Sequence, residues 1–187
     1  MRIAITGTPG TGKSALARRL RALGENVIAL NEVAFKRRFL GPYDRKRRTT
    51  EVDLGRLQDF LDRDLPAGGR LFLEGHYSHL LEVDRAIVLR CDPPVLRRRL
   101  SRRGYPEGKV RENSLAEVID SITVEAVGRL GKARVIELDT THMRQGELAS
   151  LVLGLAKKGF RHVARYRPGR IDFSEDIIRN PNYYSRR

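Results

Sequence analysis

Residues 7–14 read Gly-Thr-Pro-Gly-Thr-Gly-Lys-Ser, the G-x-x-x-x-G-K-[ST] pattern of a phosphate-binding loop. Their flanks leave few folds open. Ile3, Ala4, Ile5 and Thr6 precede the loop with strand character, and residues 15–20 follow it as a helix former with apolar residues at helical spacing. Strand, loop and helix in that order form a cradle for polyphosphates. The glycines let backbone N–H groups turn inward where side chains would block the approach. The helix adds the partial positive charge of its first turn. Gly10, Thr11 and Gly12 are expected to line the triphosphate, Lys13 to reach its β- and γ-phosphates, and Ser14 to ligate Mg²⁺. The pattern predicts a nucleoside triphosphate site.

Beyond the loop, strand and helix patterns alternate, which argues for a parallel sheet with helices on both faces. Residues 27–31 read as the second strand, 70–74 as the third, 85–89 as the fourth and 134–138 as the fifth. The stretch 41–50 is basic and turn-rich and reads as an excursion. A helix over 52–65 follows, with Leu54, Leu57, Phe60 and Leu61 on one face and Asp53 able to open it. Asp92-Pro93-Pro94 starts a helix that ends at Gly104, since proline suits the first helical turn. A single helix from near Glu112 to Leu130 and a last one over 143–158 complete the pattern. The expectation is one α/β domain over residues 1–158 with a five-stranded parallel sheet, followed by a basic extension over 159–187.

Composition narrows the class. The chain has 187 residues, enough for one sizeable core, and no long uncharged apolar run of the kind that crosses a membrane. Its first residues read as a strand and not as a cleavable signal, so a cytoplasmic protein without membrane partners is expected. Cys91 is the only cysteine, which excludes an intramolecular disulfide and a thiolate zinc site; it reads as a strand-end core residue. The formal charge of +14, from 37 Lys and Arg against 23 Asp and Glu, is large for one domain. It concentrates at 36–48, at 97–111 and in the tail after 157. Part of the excess suits a solvated, heat-adapted surface. The rest is expected to clamp nucleotide phosphates and to meet RNA or an RNA-bound partner.

Two stretches interrupt the alternation where a phosphotransferase needs mobile parts. Residues 32–65 have the position and size of a flap for an acceptor. Residues 99–112 suit a lid that closes over donor phosphates and expels water, with Gly104 and Gly108 as bending points. Arg99 and Arg103, four apart, would project from one helix face and spread positive charge over the phosphoryl group in transfer.

Together, the loop, Tyr43-Asp44, Glu74-Gly75-His76, the lid string Arg99-Leu100-Ser101-Arg102-Arg103-Gly104-Tyr105, and Glu112-Asn113 with Glu117 resemble the isoenzyme-six type of adenylate kinase. That family includes the coilin-interacting nuclear ATPase of animals and archaeal adenylate kinases. The resemblance spans about residues 1–157. It implies a nucleoside monophosphate kinase fold, ATP as donor, AMP as acceptor, ATPase activity, and a role in small ribosomal subunit maturation beside a small-subunit ribosomal protein and rRNA. It also implies that Glu74 holds Mg²⁺ with Ser14. His76 would orient an attacking water or a switching loop, or else be a loop histidine bonded to backbone. Some relatives carry an arginine where Phe35 stands here; Lys36, Arg37 or Arg38 would substitute, with Asp53 beside the acceptor.

Three functions remain open at this point. One is an ATP-dependent nucleotide kinase with weak ATPase activity. Another is an assembly factor in which nucleotide turnover drives a conformational switch. A third is a kinase for another small metabolite, because fold does not fix the acceptor. The tail, with Phe160, Tyr166, Phe173, Tyr183 and Tyr184 among its arginines, suits either RNA contact or a packed extension whose aromatics dock on the body.

Overall fold

A computed structural model describes residues 1–44, 49–64, 68–161 and 163–185. The chain opens with β1 (Arg2–Thr6), α1 (Lys13–Ala22), β2 (Val27–Ala29) and α2 (Leu30–Lys36). It continues through β3 (Leu40–Asp44), β4 (Thr49–Val52), α3 (Leu54–Arg63), β5 (Leu71–Glu74) and β6 (Arg85–Arg90). Then come α4 (Pro93–Arg102), α5 (Glu107–Val118), α6 (Ser121–Leu130), β7 (Val135–Asp139), α7 (Gln145–Lys157), α8 (Glu175–Arg179) and α9 (Pro181–Ser185). The main sheet is five-stranded and parallel, in the order β2-β5-β1-β6-β7. With β1 at its centre, the chain leaves to one side for β2 and β5 and to the other for β6 and β7. The crevice at that switch lies beyond the carboxyl end of β1, where the phosphate loop sits.

The strands are buried on both faces, so they read as apolar runs whose alternate residues serve two cores. Ile3, Ile5, Phe72, Ile87 and Leu89 meet Leu16 and Leu20 of α1 and Leu148 and Val152 of α7. Ala4, Leu73, Ala86 and Val88 meet Leu57 and Leu61 of α3 and Ala126 and Leu130 of α6. Each such leucine contributes roughly 1.5–3 kcal/mol on burial. A smaller cluster of Cys91, Leu96, Leu100 and Val110 joins α4 to α5. Cys91 is fully buried and its thiol is pushed up to about 12 by that burial, which makes it a core residue.

Several elements differ from expectation for physical reasons. The second strand stops at Ala29, because Leu30 is drawn into the core as the first residue of α2. The excursion at 41–50 is an antiparallel hairpin, β3 with β4, pairing Leu40 with Val52 and Tyr43 with Thr50. The arginines and lysine at 45–48 lie outside the described residues, as do Arg186 and Arg187. The single helix expected over 112–130 is two helices and begins earlier, at Glu107. The break is at Asp120, whose backbone takes φ 56 while its carboxylate is held by the Arg90 guanidinium.

The tail packs on the body. Phe160 is buried in the first core, and Phe173 lies under the Arg90 guanidinium at 5.3 Å. Tyr183 lies under Arg97 at 4.8 Å, and Asp176 takes Arg97 Nη1 at 2.6 Å. The Tyr184 hydroxyl joins Arg97, Ser114 and Asp176 in the same knot. Among the described residues no helix is long and apolar enough to cross a membrane.

Candidate active site

The loop's shape follows from its glycines. Gly7 has φ +135, and a Cβ there would stand 2.4 Å from the Leu89 carbonyl oxygen. Gly10 has φ +95, and a Cβ there would stand 2.7 Å from Leu96 Cδ1. Neither position admits a side chain. Gly12 caps α1, and its carbonyl accepts from the Ala15 and Leu16 amides at 3.1 and 3.0 Å. Thr11 closes the turn by donating its hydroxyl to the Thr8 carbonyl at 2.9 Å.

Above the loop opens a cleft of ≈ 550 Å³, walled by Gly10, Gly12, Lys13, Ser14, Glu74, His76 and Arg103. Arg18, Asn31 and Tyr105 line it too. A groove of similar size, ≈ 560 Å³, lies at the opposite end of the strands beside Arg2, Asp84 and Arg134, where acidic and basic groups alternate around open apolar walls. Of the two, the first gathers the loop, a carboxylate, a histidine and the cations Lys13, Arg18 and Arg103, so it is the one with chemical capacity.

The Lys13 ammonium donates to the Gly7 carbonyl at 2.6 Å and the Thr8 carbonyl at 3.0 Å. Burial lowers its pKa to about 8, against the pull of Glu74 and Glu117. Ser14 Oγ donates to Glu74 Oε1 at 3.0 Å. Among the described residues no group of three or more His, Cys, Asp or Glu is placed to hold a metal unaided. Mg²⁺ does not require one, since it is commonly held by one or two protein oxygens, substrate phosphates and water. The adjacent hydroxyl and carboxylate at the loop fit that demand.

His76 shows an exposed face to the cleft, yet the protein around it and the Lys13 ammonium push its pKa down to about 4. Its ring is therefore a neutral acceptor and donor at pH 7. It stands edge-on to Tyr77 at 4.8 Å, and the Tyr77 hydroxyl donates to Asn31 Oδ1 at 2.8 Å. Behind it lies a relay that sequence patterns did not disclose. Thr6 Oγ1 donates to the His76 carbonyl at 3.0 Å and lies 2.9 Å from His79 Nδ1, while His79 Nε2 meets Glu125 Oε2 at 2.9 Å. Buried His79, its pKa lowered by burial, fixes the backbone that presents His76.

The structure separates other residues grouped in sequence. Arg103 walls the cleft, but Arg99 does not share that face. Its guanidinium donates to the Thr140 and Thr141 carbonyls at 3.1 and 3.0 Å, because α4 ends at Arg102 and Gly104 turns the chain with φ +75. Gly108, expected as a bending point, lies inside α5. In the stretch expected to form a flap, Lys36 is exposed, and Arg37 pairs with Asp64 at 3.5 Å and covers the Phe60 ring at 5.0 Å. Asp53 caps α3, accepting from the Arg56 amide at 3.0 Å. None of Lys36, Arg37 and Asp53 walls the cleft. Tyr105 of the expected lid does, and so do Arg18 and Asn31, which no motif marks; Asn31 lies in α2, one residue past the strand that its apolar neighbours suggest.

Comparison with known proteins agrees with this architecture. A family model described as AAA domain matches residues 3–120. A protein of Archaeoglobus fulgidus named "Putative adenylate kinase" is 40% identical over 177 residues, covering 95% of this chain and 94% of its own. One of the same name from Methanothermobacter thermautotrophicus is 42% identical, covering 92% and 96%. A solved shikimate kinase from Acinetobacter baumannii in complex with shikimate shares the fold, with TM-score 0.57 and 16% identity over 84% of this chain and 93% of that one. With the family model matched over residues 3–120 and the two archaeal relatives at 40% and 42% identity over most of both chains, this protein belongs to the AAA domain family and to the archaeal group that bears the name "Putative adenylate kinase".

Proposed function

We propose that the chain is an ATP-dependent nucleoside monophosphate kinase that converts ATP and AMP into two ADP, with ATP hydrolysis as a slower companion activity. The observation that carries this is the convergence of Lys13, Ser14, Glu74, His76 and Arg103 on one cleft above the phosphate loop. The names of the relatives and the kinase fold support it. In the reaction an AMP phosphate oxygen attacks the γ-phosphorus as the bond to the β-phosphate oxygen breaks; no proton need move. Positioning and charge then supply most of the catalysis.

Lys13 leaves the loop carbonyls for the β- and γ-phosphates, and loop amides near Gly10, Thr11 and Gly12 hold the chain of phosphates. Arg103 covers the transferring group. Ser14 and Glu74 would hold Mg²⁺, which would supply neutralising charge to the phosphate oxygens. Arg99, on α4, steadies the loop after β7 through the Thr140 and Thr141 carbonyls and acts on the donor only through that support. Residues 32–65 serve as acceptor flap, with Lys36 and Arg37 offering charge to the monophosphate and Asp53 holding α3 behind them. Residues 99–112 serve as lid. Neutral His76 accepts a hydrogen from a water in the cleft, which accounts for hydrolysis when no acceptor is present.

The test is ADP formation from Mg-ATP with and without each nucleoside monophosphate, separating the products by chromatography. AMP-dependent ADP formation far above the acceptor-free rate is expected. Slow hydrolysis that no monophosphate changes would overturn the kinase assignment.

One observation favours a second reading, an assembly ATPase of the cytoplasm that acts in small ribosomal subunit maturation, in line with the isoenzyme-six resemblance. A groove of ≈ 510 Å³ between the start of β7 and the tail is lined by Lys132, Arg167 and Arg170. Arg165, stacked over Tyr166 at 4.8 Å, lines an adjoining groove that shares Arg167 and Arg170 and also holds Glu137 and Asp139. These cations make no ion pair among the described residues and suit the phosphates of rRNA. Association with rRNA or a small-subunit ribosomal protein that changes between ATP and ADP would support this reading; its absence would sink it.

A further inference from the structure

Arg90 is fully buried at the end of β6 with three carboxylates around it. Its Nη1 reaches Glu137 Oε1 at 2.5 Å, its Nη2 reaches Asp120, and its Nε reaches Glu117 Oε1 at 2.8 Å. One guanidinium does not need three anions for neutrality, and each extra buried carboxylate costs desolvation. Glu117, only 2% exposed, is therefore a poor candidate for a mere charge partner.

Its other bonds show what it holds. Oε1 also accepts from the Cys91 amide at 3.0 Å, which fixes the chain where β6 leaves the sheet. Oε2 accepts from the Thr8 hydroxyl at 2.5 Å. Thr8, itself buried, is the second residue of the phosphate loop, and its carbonyl takes the Lys13 ammonium, the Thr11 hydroxyl and, at 3.3 Å, the Thr11 amide. A carboxylate on α5 thus grips by its hydroxyl the very residue whose carbonyl parks Lys13. Helix α5 follows residues 103–106, whose Arg103 and Tyr105 wall the cleft. Helices α4 and α5 pack together through Leu96, Leu100 and Val110.

We infer that Glu117 is a positioning residue of the phosphate loop, acting through the Thr8 hydroxyl and coupling nucleotide capture at the loop to the helix behind the lid. The inference rests on the triphosphate reading of the cleft and adds a mechanical link to it. A charge-assisted hydrogen bond between buried partners is strong and directional, so the link holds Thr8 and α5 in a fixed relation and ordering of one restrains the other. A nucleotide that draws Lys13 off the Thr8 carbonyl leaves Thr8 held by Glu117, so the loop keeps its shape while its cation moves.

The experiment uses the full chain and a non-hydrolysable Mg-ATP analogue, with affinity read by calorimetry and the amides of α5 read by hydrogen exchange. Thr8→Val keeps the branched shape and removes the hydroxyl; Thr8→Ser keeps the hydroxyl. The expected result is about tenfold weaker binding in Thr8→Val, which corresponds to about 1.4 kcal/mol. Thr8→Ser should stay within about twofold of wild type on the same scale. Wild type and Thr8→Ser should also gain exchange protection in α5 on adding the analogue, and Thr8→Val should not. Equal binding in Thr8→Val and wild type overturns the inference, as does a Thr8→Ser variant that loses as much as Thr8→Val. A gain of α5 protection in analogue-bound Thr8→Val equal to that of wild type overturns the coupling. Should Thr8→Val not fold, Thr8→Ala against Thr8→Ser repeats the comparison without the branched side chain. A wild-type chain that does not bind the analogue would instead sink the triphosphate reading itself.

Discussion

Ser14 Oγ donates to Glu74 Oε1 at 3.0 Å, so the start of α1 and the end of β5 meet over the carboxyl edge of the sheet. Replacing Glu74 by Gln keeps the shape and removes the charge. We expect turnover to fall roughly 10–100-fold and the Mg²⁺ concentration for half-maximal rate to rise, the scale seen when a metal site loses a supporting carboxylate. Turnover measured against Mg²⁺ concentration checks this. An unchanged dependence would reduce Glu74 to a hydrogen-bond acceptor for Ser14.

Lys13 titrates at about 8 when the cleft holds no nucleotide, because burial disfavours its charge. A triphosphate favours the ammonium form and raises that pKa. Binding above pH 8 therefore takes up a proton, and affinity falls as pH rises, by at most roughly tenfold per pH unit. Calorimetry at pH 9 in buffers of different ionisation enthalpy should detect the uptake, and at pH 6.5 it should vanish. His76, with its pKa near 4, stays neutral throughout this range and contributes no inflection.

The Arg97–Asp176 pair fastens the tail to α4 at 2.6 Å with Asp176 only 9% exposed. Asp176→Ala should lower the unfolding free energy by about 2 kcal/mol in urea titrations at pH 7. The Arg97 and Tyr184 hydrogen bonds hold the Asp176 carboxyl below its ordinary 3.8, although burial opposes them. That contribution is present above 3.8 and is lost as pH falls through the depressed value. The gap between wild type and Asp176→Ala should close accordingly in strong acid.

Asp53 accepts from the Arg56 amide as the cap of α3. Asp53→Ala should cost about 1 kcal/mol and Asp53→Asn almost nothing, since asparagine caps as well as aspartate. If Asp53→Asn also leaves the Michaelis constant for AMP unchanged, the residue serves the flap's stability and not its ligand.

What could be read from sequence divides along a physical line. Local signals were legible: the loop from its glycines, β1, β5, β6 and β7 from apolar runs, and the start of α4 from Asp92-Pro93-Pro94. Sequence motifs mark Lys13, Ser14, Glu74, His76 and Arg103, and the fold brings all five to one cleft. Features set by distant partners were not legible. Asp120 breaks a helix because a guanidinium thirty residues away claims its carboxylate. Arg99 left the proposed transfer face because carbonyls forty-one and forty-two residues on hold it. His79 and Glu125 look ordinary in sequence and form the floor beneath His76 only once the sheet is closed.

The tight seats of Gly7 against the Leu89 carbonyl and of Gly10 against Leu96 have a consequence for how a ligand is captured. A loop wedged between a strand end and a helix has few conformations to forfeit when a polyphosphate arrives. The ordering entropy was spent when the chain folded, and encounter with the nucleotide need not wait for the cradle to assemble. Selectivity then falls to the parts that still move, and the loop serves any triphosphate that those parts admit.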